Sequence, residues 1–110
     1  MTRIFRWDAW NSEHARKHGV THEEAEYVVL NPKPPYPKRT PDEKFLVRGQ
    51  SAEGRYLQVI YIVDSEEEIE FEDLTISEIY DLSQGELKRM YIIHARPLTP
   101  RERANYRKSQ

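Results

Sequence analysis

The chain predicts an α+β domain built on a mostly antiparallel sheet of about four strands, and three observations carry that reading. Strand-like and helix-like stretches follow one another as β-α-α-β-β-(helix)-β-α, not as repeated β-α pairs, which sets the helices apart from the sheet. Three Thr-x-x-Glu capping boxes, at Thr21, Thr75 and Thr99, mark where helices begin. Two apolar runs, Phe45 to Gln50 and Tyr56 to Val63, are joined by Ser51-Ala-Glu-Gly54, a good hairpin connection with a glycine available for positive φ. With 110 residues there is one domain, 1–110, and room for a single modest core.

Ile4 to Trp7 reads as a short opening strand. Asp8 is placed to cap a helix from Ala9 to His18, which Gly19 closes. Thr21 and Glu24 open a second helix, His22 to about Leu30, with Ala25, Val28 and Val29 forming its buried stripe. Asn31-Pro32 ends it, and the proline-rich Lys33 to Pro41 reads as an extended surface loop. In the second hairpin strand Leu57, Val59, Tyr61 and Val63 share one face; Tyr56, Gln58, Ile60 and Ile62 share the other. A short strand is expected at Ile69 to Phe71, then a helix from Thr75 to near Gly85 with Ile76, Ile79, Tyr80 and Leu82 as its stripe. Met90 to Ala95, apolar on both faces, reads as a central strand that Pro97 ends. Thr99, Pro100 and Glu102 then start a basic helix running to about Lys108.

Composition excludes several classes. No apolar run approaches the ~20 residues of a membrane span, and the N-terminus lacks the apolar core of a secretory signal. The chain has no cysteine, so disulfides and thiolate metal sites are ruled out, and a cytoplasmic home is expected. The net charge of −2 conceals a strong segregation. Residues 1–63 carry +2, residues 64–86 carry ten acids and no base, and residues 87–110 carry +6. Without the acidic stretch the remaining body would be strongly basic, which suits a polyanionic partner.

Trp7-Asp8 followed by Lys17-His18-Gly19-Val20-Thr21-His22-Glu23-Glu24-Ala25 resembles the opening of the BrnT family of toxins. Trp10-Asn11-x-x-His14 is similar to one branch of that family. The hairpin Arg48-Gly49…Gly54-Arg55 and the ending Ile92-Ile93-His94-Ala95-Arg96…Thr99-Pro100-Arg101-Glu102-Arg103…Tyr106 resemble its middle and end. Together these blocks cover roughly two thirds of the chain. Tyr91 and His94 stand where many members have an arginine and a serine, and residues 64–89 form an acidic insertion where the family has a tight turn. The resemblance implies a RelE-like fold, a twisted antiparallel sheet with two N-terminal helices and one C-terminal helix. It further implies a metal-independent endoribonuclease toxin, with RNA as substrate, no cofactor, and a ribbon-helix-helix-type antitoxin as partner.

Metal-independent RNA cleavage needs a base for the 2′-hydroxyl, cations around the pentacoordinate phosphate and an acid for the 5′-oxygen. The candidates are His94 and Arg96 on the last strand, Arg48 and Arg55 on the hairpin, and Tyr61 (or Tyr91) for stacking. Strand alternation places His94 and Arg96 on one face with Met90 and Ile92. The structural alternative makes His94 a rim residue hydrogen-bonded to backbone, and Arg96 a capping residue or the partner of a carboxylate in the acidic stretch. Arg101, Arg103, Arg107 and Lys108 are candidate RNA-binding cations, or else a solvated helix face. His14, His18 and His22 recur at four-residue spacing, but Gly19 interrupts the helix between them, so His18 is expected at the helix C-terminus and His14 against the sheet. Trp7 and Trp10 are expected in core packing. The acidic stretch has two open readings: a cover folded over the basic helix or hairpin, or an outward surface through which Ile79 or Leu82 binds a partner or forms a homodimer.

Overall fold

The computed structural model describes Met1–Gln110 and confirms the α+β class. The chain runs β1 (Thr2–Arg6), α1 (Ala9–Lys17), α2 (His22–Leu30), β2 (Lys38–Arg39), β3 (Phe45–Gln50), β4 (Tyr56–Val63), α3 (Ile76–Ser83), β5 (Leu87–Pro97) and α4 (Pro100–Lys108). The strands form one mixed sheet in the order β1-β5-β4-β3-β2. β1 lies parallel to β5, and the other three pairings are antiparallel. The fifth strand is the two-residue β2, inside the segment expected to be a loop. It sits at the sheet edge, where flanking prolines cost no ladder hydrogen bonds.

Local chemistry fixes the helix starts. Thr21, Thr75 and Thr99 each accept from the N–H three residues on, while the glutamate there accepts from the cap's own N–H. Asp8 and Asn11 make a fourth such box at α1. Asn11 also reaches further. It is fully buried, and its Nδ2 donates to the carbonyls of Arg6 (3.1 Å) and Ile92 (2.9 Å), so α1 takes over the edge of β5 where β1 stops.

α1 and α2 cover one sheet face. Ala15, Val20, Ala25, Val28 and Val29 pack there against Val47, Leu57, Val59, Tyr61, Met90, Ile92 and Ala95. The second face is polar and is organised by an irregularity in β5. Ile60 pairs with His94 but Tyr61 pairs with Ile92, so Ile93 is an extra residue in the ladder. The bulge reverses the expected alternation: His94 and Arg96 stay together but face away from Met90 and Ile92, which are core. The helices are not all on one side either. α4 leads off the end of β5, contacts the second face through Glu102, and reaches the 33–37 segment, where Tyr106 lies between Tyr36 and Tyr56 and Gln110 donates to the Pro34 carbonyl (3.2 Å).

Residues 64–86 gather at the end where β5 begins. The expected strand at Ile69 to Phe71 is absent; two 3-10 turns, Glu66–Glu68 and Phe71–Asp73, stand instead. Only Asp64 and Ile69 bury, so the segment has no apolar face for a sheet to accept. β5 starts at Leu87, earlier than expected, and takes in Lys88 and Arg89. Asp64 accepts from Arg6 Nε (2.8 Å) and NH2 (2.9 Å) and from Arg89 Nε (2.7 Å). Burial pushes its carboxyl pKa up, but these hydrogen bonds outweigh burial and hold it below the ordinary value. No helix is long and apolar enough to cross a membrane.

Candidate functional site

The second face carries a row of polar side chains along β4 and β5. Strand pairing sets His94 beside Ile60 and Arg96 beside Gln58, and the Leu98 N–H bonds the Tyr56 carbonyl (2.9 Å). Each step along the row is two residues, about 7 Å. β3 adds Arg48 on the far side of Gln58, so Arg48, Gln58 and Arg96 form one line across three strands. Arg48 Nε donates to Gln58 Oε1 at 3.0 Å.

Glu102 closes over this line. Arg96 NH1 and NH2 donate to its two carboxylate oxygens at 2.7 and 2.8 Å, and Arg48 NH2 donates to Oε2 at 3.1 Å. Oε1 also accepts from the Thr99 N–H at 2.9 Å, so one side chain both starts α4 and bridges two guanidiniums. The Arg96 hydrogen bonds, then the Thr99 N–H, hold the carboxyl far below the usual glutamate range. The carboxylate partner of Arg96 is therefore on α4, not in the acidic stretch. Nor does that stretch cover the basic helix or hairpin: its ion pairs go to Arg6, Arg89 and the N-terminal amine.

His94 is half-buried. Burial, and then the nearby charges of Arg96, His18 and His14, lower its pKa, which favours the neutral imidazole. The ring centroid of His18 is 5.9 Å away. His18 caps the end of α1, its backbone N–H bonding the Ala15 carbonyl while the Gly19 N–H bonds that of Arg16, and its exposed ring reaches β5. The other two histidines go elsewhere. His22 stacks on Trp7 (3.8 Å) and pairs with the Ser12 hydroxyl (3.0 Å). His14 stacks on Trp10 (3.9 Å), and its Nδ1 pairs with the Trp10 carbonyl (3.2 Å) of its own helix. Trp10 is exposed, so the core role expected of it is not filled. Trp7 is partly buried against the core and donates its indole N–H to Glu26 (2.8 Å).

Two candidates fall outside this arrangement. Tyr61 lies on the core face, buried and stacked on Phe45 at 5.3 Å, because the bulge sends His94 to the opposite side. Arg55 NH1 is held by Glu24 (2.8 and 2.9 Å) and by the Gly19 carbonyl (3.0 Å), which ties the hairpin to the start of α2. The alternative aromatic, Tyr91, donates its hydroxyl to Asp8 (2.9 Å) under the Arg6 guanidinium (3.9 Å).

The α4 cations are exposed, and none makes an ion pair. Arg103 and Arg107 lie over the Tyr56 ring at 5.7 and 5.1 Å, and Arg107 Nε donates to the Tyr56 hydroxyl at 3.1 Å. A cleft of about 340 Å³ runs beside them, lined by Glu53, Gly54, Arg55, Tyr56, Pro97, Leu98 and Arg103. Arg101 and Lys108 point to solvent outside it. Tyr56, Gln58, Glu102 and His18 were the members of this surface absent from the candidates read from sequence. Tyr56 shares the face of Gln58 by simple alternation, so its signal was present; His18 needed the tertiary fold.

No protein-family model matches the chain, and no curated protein matches it.

Proposed function

We propose that this chain is a metal-independent endoribonuclease, the toxin of a type II toxin–antitoxin system, with a RelE/BrnT-like layout. The observation that carries the reading is the His94 imidazole on the same sheet face as Arg96 and Arg48 and 5.9 Å from a second imidazole, His18. In the proposed reaction His94 takes the proton of an RNA 2′-hydroxyl. The 2′-oxygen bonds to phosphorus, the bond from phosphorus to the 5′-oxygen breaks, and the leaving oxygen takes a proton from His18 in its protonated form. The products are a 2′,3′-cyclic phosphate and a 5′-hydroxyl. Arg96 and Arg48 stabilise the charge on the phosphorane. Tyr56, with Arg103 and Arg107 over its ring, offers a stacking and phosphate-binding platform further along the face. An antitoxin of ribbon-helix-helix type would silence the enzyme by covering this surface.

Expression of the chain alone tests the proposal. Growth arrest with loss of cellular RNA is expected, relieved by His94→Ala and by Arg96→Ala in proteins that remain folded. Intact RNA and normal growth at confirmed expression would overturn it. One observation favours a second reading, a non-catalytic interaction module: Glu102 engages both guanidiniums of the row. Purified Glu102→Gln protein separates the two. An enzyme gains RNA binding and cleavage when the arginines are released; a module gains neither.

A further inference from the structure

The acidic end of the molecule has a surface that the polar face does not explain. α3 has no buried residue, and its Ile76 and Tyr80, four residues apart and so neighbours on one helix face, are 88% and 63% exposed. Phe71, in the turn that leads into α3, is 62% exposed. The helix is nonetheless well made, with a complete capping box at Thr75 and Glu78 and an anchor from the Thr2 hydroxyl to Asp81 (2.7 Å). Three large apolar side chains held outward by an ordered element mark an interaction surface, not a packing fault.

The charges around them select the occupant. Of the ten acids in residues 64–86, only Asp64 and Glu86 form ion pairs. Glu66, Glu67, Glu70, Glu72 and Asp73 are exposed and make no side-chain hydrogen bond, and Glu68 and Glu78 bond only to groups of their own caps. A second copy docked face to face would bring an equal set of carboxylates within a Debye length of about 8 Å, and the chain's own basic helix, α4, has no exposed large apolar side chain to offer this surface. Nucleic acid and anionic membrane are repelled by the same carboxylates. We propose that the Ile76–Tyr80 face of α3 docks a cationic amphipathic helix of a partner polypeptide, with apolar anchors against Ile76 and Tyr80 and Lys or Arg flanks against the carboxylates. The inference is independent of any nuclease activity on the polar face.

A dye-labelled synthetic peptide of about 18 residues, with leucines along one helical face and lysines elsewhere, is the probe, read by fluorescence anisotropy at about 0.15 M salt. Saturable binding is expected, weakened roughly tenfold by Ile76→Ser/Tyr80→Ser and roughly fivefold by Glu70→Gln/Glu72→Gln. All four side chains are exposed, and unchanged circular dichroism confirms that the variants fold. A peptide with glutamates replacing the lysines should not bind. Absence of binding overturns the proposal. So does equal binding of a scrambled peptide of the same composition, which would indicate charge attraction alone. Concentration-dependent dimerisation in sedimentation, abolished by Ile76→Ser/Tyr80→Ser, would assign the surface to a second copy and also overturn it.

Discussion

Glu102 sits at 21% side-chain exposure among Arg96, Arg48 and the Thr99 N–H, so its charge is matched on three sides. Glu102→Gln keeps an amide oxygen for the cap but removes the charge both guanidiniums answer. We expect a loss of about 2 kcal/mol, seen as a lower urea midpoint at unchanged slope, because two partly buried arginines lose their counter-charge. The depressed pKa of Glu102 also makes it a source of acid lability. Its stabilisation is present above the unfolded-state value of about 4.3 and is lost as pH falls through the folded one. His94 acts at higher pH. Its folded pKa is lowered, so the unfolded chain binds the extra proton first, and stability falls as pH drops from about 6.5 towards the folded value. Unfolding free energies measured between about pH 5 and pH 7 should therefore rise with pH, and His94→Gln should flatten that rise. An unchanged slope would remove the basis for a His94 pKa lowered by folding.

Secondary elements were legible wherever a side chain answers its own backbone. Thr21 with Glu24, Thr75 with Glu78 and Thr99 with Glu102 span only three residues, so sequence alone placed those helix starts. The hairpin strands Phe45–Gln50 and Tyr56–Val63 were equally plain, since alternation and one glycine turn define them. What could not be read depends on partners far along the chain. Ile93 is an ordinary strand residue in sequence, and only pairing with β4 reveals it as the bulge that parts His94 from Tyr61. The parallel contact of β1 with β5 joins residues more than eighty positions apart. Asn11 belongs to the same class. Its amide caps α1 by accepting from the Asp8 N–H (2.7 Å) and satisfies the Arg6 and Ile92 carbonyls at the sheet edge. Asn11→Ala should cost about 3 kcal/mol in urea unfolding, one buried and two part-buried hydrogen bonds at about 1 kcal/mol each. A loss near 1 kcal/mol would reduce it to a helix cap.

Over the whole molecule, β5 is the axis that separates opposite charges. It leaves the acidic segment at Leu87 and delivers the basic α4 after Pro97, eleven residues or about 33 Å later, in a body 43 Å long. That separation exceeds the Debye length of about 8 Å at physiological salt and is comparable to the 30 Å length at 0.01 M. The acidic pole is thus electrically invisible to a polyanion on α4 in one condition and repulsive in the other. If Arg103 and Arg107 each neutralise one RNA phosphate, Arg103→Ala/Arg107→Ala should reduce the slope of log affinity against log salt by roughly 1.4 for a single strand. Neutralising the far pole, with Glu66, Glu67, Glu70 and Glu72 changed to Gln, should act differently. Affinity for single-stranded RNA should rise several-fold at about 0.01 M ionic strength and stay unchanged at about 0.15 M. Filter binding at the two ionic strengths checks this. An equal gain in both would mean that the acidic segment reaches the α4 surface directly, and the separation of poles along β5 would no longer explain how a chain of net charge −2 could bind the RNA proposed as its substrate.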